Sequence, residues 1–179
     1  MRAVGVGLLP VFTVACALLA LAGVTKLRTP QPAREALALI GVGVPSLAVR
    51  VLGGAEVILG VFAAFRPGAI SGGLVALAYG AFAVTALLLL RADRGADCGC
   101  FGQSSSVASA AHVALDAGAS GVAIAAALAR PPGLQWIATR APLVAVTLAI
   151  GLAAAAFAAY AAFTLFAPAW RAYGSGSGA

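Results

Sequence analysis

The chain has 179 residues, 63% of them hydrophobic and 9% charged, which is too little polar surface to cover a water-soluble globule. Its net charge of +6 comes from basic residues scattered between apolar runs, with no patch interleaved with aromatics, so a nucleic-acid-binding face is excluded. Nothing ionisable lies between Arg2 and Lys26, between Arg66 and Arg91, or between Arg140 and Arg171, and a bilayer core takes about 20 apolar residues per helix.

The expected fold is therefore all-α, a polytopic helical bundle in the lipid bilayer of the cell membrane. Three cysteines are too few for a disulfide framework, and no polar region is long enough for a second, soluble domain. The first apolar run follows Arg2 and reaches Ala20-Leu21-Ala22, a pattern shared with cleavable signal peptides. We expect it to stay as the first membrane helix, over about residues 8–24, with Pro10 in its first turn and Cys16 as a small apolar core residue.

Thr29-Pro30-Gln31-Pro32 breaks the chain, and residues 33–42 are too few to span, which predicts an interfacial or re-entrant helix. A second membrane helix, over about 47–65, carries two charges. Arg50 is near enough to its start to snorkel, whereas Glu56 is not. Gly53 and Gly60 lie three before and four after Glu56, so one face reads Gly, Glu, Gly and lets a neighbouring helix approach closely. An ionisable residue at that depth is a candidate functional group; it could equally be a structural carboxyl, protonated or paired with Arg50 or Lys26.

After the turn Arg66-Pro67-Gly68 a third membrane helix is expected over 70–90. A polar loop, 91–106, follows and holds Asp97-Cys98-Gly99-Cys100-Phe101-Gly102. The fourth helix, about 107–128, carries His112 and Asp116 at i,i+4 and hence on one face. Arg130-Pro131-Pro132-Gly133 ends it. Residues 134–140 form an amphipathic connector with Trp136, residues 143–166 a fifth membrane helix, and the Gly/Ser tail 172–179 is a flexible segment.

Two cysteines flanking one glycine are the least generic feature of the chain. A bent tripeptide can bring the outer Cα atoms within disulfide range, about 4.4–6.8 Å, and a ring that small is strained and easily reduced. Gly99 gives the backbone freedom it needs. The pair then acts as an exchange site rather than a staple. The residues alone leave two other readings open: a soft-metal site formed by Cys98, Cys100 and His112 with a carboxylate, or two cysteines that only pack at the membrane surface. His112, twelve positions after Cys100, would suit a proton acceptor for a thiol, because the thiolate is the reactive form; it could also be a hydrogen-bonded interfacial residue.

The Asp97–Gly102 segment between the third and fourth membrane helices resembles the MauE family of methylamine-utilisation membrane proteins, relatives of the DoxX-like proteins. Gly23-Val24-Thr25-Lys26-Leu27 is similar to the Gly-x-x-Lys-Leu of these families, and Leu52–Gly60 is similar to their second-helix Glu-x-x-x-Gly segment. The resemblance covers about residues 8–130. It implies a four-helix MauE/DoxX-like transmembrane domain over 1–130, leaving 131–179 as connector, extra C-terminal transmembrane helix and tail. It further implies disulfide formation with a thioredoxin-like extracytoplasmic partner, for maturation of a disulfide-containing exported client such as the small subunit of methylamine dehydrogenase. Cys98 and Cys100 would be the redox pair, with Lys26 and Glu56 as matching bundle positions. Where family members carry Arg before the position of Asp116, this chain has Leu115. No cofactor is implied. The protein would serve as a thiol-disulfide oxidoreductase or an accessory factor; the alternative is a non-enzymatic membrane scaffold or soft-metal-binding protein. A quinone-coupled oxidase arrangement would call for a second cysteine pair, and Cys16 stands alone.

An extracytoplasmic cysteine loop suits persistent disulfides. That orientation puts Arg2, Arg66, Arg130 and Arg140 inside against Lys26, Arg28, Arg34, Arg91, Arg94 and Arg171 outside, a distribution that leans the other way on the positive-inside rule.

Overall fold

The computed structural model describes residues 2–92, 110–140 and 142–161, and every element among them is a helix: α1 (Arg2–Arg28), α2 (Gln31–Leu39), α3 (Ser46–Phe65), α4 (Ala69–Arg91), α5 (Ala110–Ala129), α6 (Leu134–Arg140) and α7 (Pro142–Ala161). Four of these, α1, α3, α4 and α5, are long and apolar enough to cross a membrane. In α7 the apolar stretch among the described residues is Ala149–Ala158, and the continuation expected to Phe166 lies outside them. Outward-facing Ile58, Ile70, Leu77 and Leu128 are 70–81% exposed, as lipid-facing side chains would be.

The first helix differs from the expectation. It begins at Arg2, so Pro10 lies inside it rather than in its first turn. A proline there removes one backbone hydrogen bond, a loss that membrane helices tolerate when local groups compensate. Three residues on, Thr13 Oγ1 donates to the Leu9 carbonyl at 2.8 Å, which satisfies its hydroxyl inside the apolar helix.

Two antiparallel pairs make the bundle. In the first, α1 lies against α3 and close approach is possible because glycines face backbone: a Cβ on Gly60 would stand 2.5 Å from the Cys16 carbonyl oxygen, and one on Gly53 would stand 2.7 Å from that of Gly23. In the second, Gly72 of α4 faces the backbone of Ala127 on α5, and Ser120 donates to the Ala76 carbonyl at 2.9 Å. Phe12, Cys16 and Leu19 of α1, Val75 and Tyr79 of α4, and Ala123 and Ala126 of α5 join the pairs in one core. Tyr79 Oη crosses it to donate to the Ala15 carbonyl at 2.7 Å. Cys16 is fully buried, as its apolar surroundings in the sequence suggest.

The connections sort to two ends. At one end lie the close of α1, the whole of α2, the start of α3, the close of α4 and the start of the described part of α5. Nine residues of helix make α2 about 14 Å long, too short to span. It packs on α3 and α4 through Ala33 and Ala36, and stops where Gly41 turns to φ +84, letting the Val42 amide donate back to the Leu37 carbonyl at 2.9 Å. At the opposite end lie the Arg66-Pro67-Gly68 turn and α6.

Candidate functional site

The motifs that flank the first connection meet in space. Gly23 of α1 lies against Gly53 and Val57 of α3, which brings Lys26 one turn on to the level of Gly53. In a helix each Cα–Cβ bond tilts toward the N-terminus. Lys26, near the C-terminal end of α1, therefore reaches down into the bundle. Glu56, on an antiparallel helix, reaches up toward the same end. Lys26 Nζ donates to both carboxylate oxygens of Glu56, at 2.7 and 2.8 Å. The residues are 5% and 3% exposed. Of the two partners that the sequence allowed for Glu56, the structure selects Lys26; Arg50 is exposed.

Two more groups address the same ammonium. The Phe82 ring of α4 lies with its centroid 4.4 Å from Nζ, a cation–π contact that strengthens with desolvation, and Tyr79 holds that ring edge-on at 5.8 Å. From α5, the carboxyl group of Asp116 lies within electrostatic reach of Lys26. One cation on α1 is thus addressed by α3, α4 and α5 together. Neither Phe82 nor Asp116 is tied to Lys26 by its sequence surroundings; the signal for Asp116 is its depth in an apolar helix.

His112 stands two residues into the described part of α5 and is 7% exposed, buried at the end of the bundle from which the cysteine-bearing connection runs. It shares a face with Asp116. Cys98 and Cys100 themselves, with Asp97, lie outside the described residues, so the dithiol and the alternative metal set of Cys98, Cys100 and His112 are not described. Among the described residues no group of three or more His, Cys, Asp or Glu side chains could hold a metal ion.

Chemically, a buried ion pair with every polar atom satisfied is a pin: it sets the register of α1 on α3 and orders one end of the bundle. A charge buried at this depth is costly unless paired.

A family model described as methylamine utilisation protein MauE matches residues 5–130. No curated protein matches the chain, and no solved structure does.

Proposed function

Since the chain belongs to the methylamine utilisation protein MauE family, we propose that this multi-pass membrane protein takes part in thiol-disulfide exchange through Cys98 and Cys100. The observation that carries the reading is the Cys98-Gly99-Cys100 tripeptide in the connection from α4 to α5, the end of the bundle at which the Lys26–Glu56 pair fixes α1 against α3. The Cys98–Cys100 dithiol attacks a partner disulfide as a thiolate and passes through a mixed disulfide. It ends as the Cys98–Cys100 disulfide, the partner having taken up two electrons and two protons as a dithiol. The reverse exchange uses the same steps. The partner is a thioredoxin-like extracytoplasmic protein, which undergoes the same kind of exchange with a disulfide-containing exported client, oxidising it when the reverse exchange has left the partner as a disulfide; the connection faces the outside of the plasma membrane, where disulfides persist.

His112 serves as proton acceptor for the attacking thiol. Its support is position: it is buried at the start of α5, twelve residues after Cys100. Positioned proton transfer contributes roughly 100-fold or more. We therefore expect His112→Asn to slow exchange in reconstituted vesicles by about that factor at neutral pH and much less in alkaline buffer, where thiols ionise unaided. An equal loss at both pH values would assign His112 a purely structural role. Glu56 acts from further away, as a positioning residue.

Capture of the intermediate tests the exchange reaction. Replacing one of the two cysteines by serine leaves the other without its resolving partner. One of the variants Cys98→Ser and Cys100→Ser should then accumulate a mixed disulfide with an extracytoplasmic protein, seen as a band that collapses on reduction. If neither variant yields such a band in native membranes, the proposal fails. Metal analysis of the purified protein separates the soft-metal alternative, which predicts stoichiometric zinc or copper lost on Cys100→Ser.

A further inference from the structure

At the end of the bundle opposite the cysteines, the α3–α4 turn and α6 enclose an open groove of about 480 Å³ lined by Phe65, Arg66, Pro67, Gln135, Trp136 and Thr139. Its rim is cationic. Arg66 Nε donates to Gln135 Oε1 at 3.3 Å, which holds the guanidinium at the groove edge with its two terminal nitrogens free of that bond. On α6, which supplies Gln135, Trp136 and Thr139 to the groove, the Arg140 guanidinium lies over the Trp136 ring, 4.7 Å from its centroid. Arg130 stands just before the segment that leads into α6.

Among the described residues no carboxylate answers these cations: Glu35 lies on α2, Glu56 is spent on Lys26 and Asp116 is in the first half of α5, all away from this end. The depth of the groove is set by its neighbours. Because α6 joins the end of one membrane-crossing helix, α5, to the start of α7, it lies at headgroup level, where a half-exposed Trp136 is an interfacial anchor. Beside it Phe65, Leu128 and Leu143 are 51%, 81% and 82% exposed, an apolar wall suited to acyl chains.

The geometry points to a binding site for an anionic glycerophospholipid, its phosphate between Arg66 and Arg140 and its acyl chains along the exposed ends of α3, α5 and α7. Arginine presents a planar fork that matches phosphate oxygens, and Trp136 stacking keeps the second fork oriented. The site is independent of the cysteine chemistry.

Titration of the purified full-length protein in nonionic detergent, read by native mass spectrometry, tests it. Dioleoyl phosphatidylglycerol should bind saturably and more tightly than dioleoyl phosphatidylcholine, and millimolar inorganic phosphate should not displace it. Each arginine near an anionic headgroup contributes about 1 kcal/mol, so the double variant R66Q/R140Q should weaken phosphatidylglycerol binding roughly 30-fold at about 1.4 kcal/mol per tenfold. The double variant R28Q/R34Q at the other end should leave it unchanged. Equal affinity for the two lipids, an unaltered R66Q/R140Q, an equal loss in R28Q/R34Q, or displacement by free phosphate would each overturn the proposal. Should R66Q/R140Q fail to fold, wild-type tryptophan fluorescence decides: quenching by brominated phosphatidylglycerol but not by brominated phosphatidylcholine is expected, and equal quenching overturns the proposal.

Discussion

Glu56→Ala is expected to destabilise the protein by about 3–5 kcal/mol, the cost of leaving a buried charge without its partner. The variant deprives the Lys26 ammonium, buried in the native bundle, of both short hydrogen bonds, leaving it the Phe82 face and the more distant Asp116. Lys26→Met should cost a similar amount from the other side, by stranding the Glu56 carboxylate. The combination Lys26→Met with Glu56→Gln removes both charges and should recover most of the loss, because a neutral pair of similar volume escapes the desolvation penalty. A double-mutant cycle of Lys26→Met, Glu56→Gln and their combination in mild detergent, read by thermal or denaturant unfolding, measures the coupling directly. Additive losses would mean that the two residues act separately and that the pin between α1 and α3 is not formed.

Gly60→Ala should cost about 1–3 kcal/mol, the range for forcing extra volume into a packed interface. The added methyl would lie 2.5 Å from the Cys16 carbonyl oxygen and 3.0 Å from the Ala20 amide nitrogen. Both are backbone atoms inside a helix, so neither can turn aside and the two helices must part. Gly53→Ala meets the Gly23 carbonyl oxygen at 2.7 Å and adds a functional cost, because parting the helices there also lengthens the Lys26–Glu56 contact. Gly54, one residue on, faces open space. Gly54→Ala should be neutral or stabilising by up to about 1 kcal/mol, since alanine is the better helix former. The same unfolding measurement on the three variants checks the contrast; equal effects at Gly54 and Gly60 would contradict the packing described.

How much of this was legible in the sequence differs between helices. The Gly53-Glu56-Gly60 face announced itself because a carboxyl group and two glycines at helical spacing are rare in an apolar run, and that face does meet α1. The limits of α3, α4 and α6 agree with the reading to within a residue. Which helices pair was not legible. A membrane helix can be apolar on its lipid face as well as its packed face, so the periodicity that orients a soluble helix carries little signal. The contact of Gly72 with Ala127 and the reach of Tyr79 to Ala15 were hidden for that reason. Lys26 was legible in part. It is one of the two partners the sequence allows for Glu56, but its further contacts with Phe82 and Asp116 follow from the tilt of its side chain toward the N-terminus, which turns it inward. Pro10 misled in the opposite sense, marking a helix start where the helix runs on.

The conformation of the Asp97–Gly102 segment lies outside the described residues, so the cysteine chemistry rests on the sequence, on family membership and on the ordered end of the bundle from which the segment runs. Thiol trapping on intact cells with a membrane-impermeant, mass-tagging maleimide is the most direct measurement of the exchange claim. With Cys16 buried, Cys98 and Cys100 should take up two tags together after mild reduction and remain partly untagged before it, reporting a disulfide exposed outside the membrane. Two thiols that are fully tagged without reductant under every growth condition, or that react only once the cells are permeabilised, would contradict it.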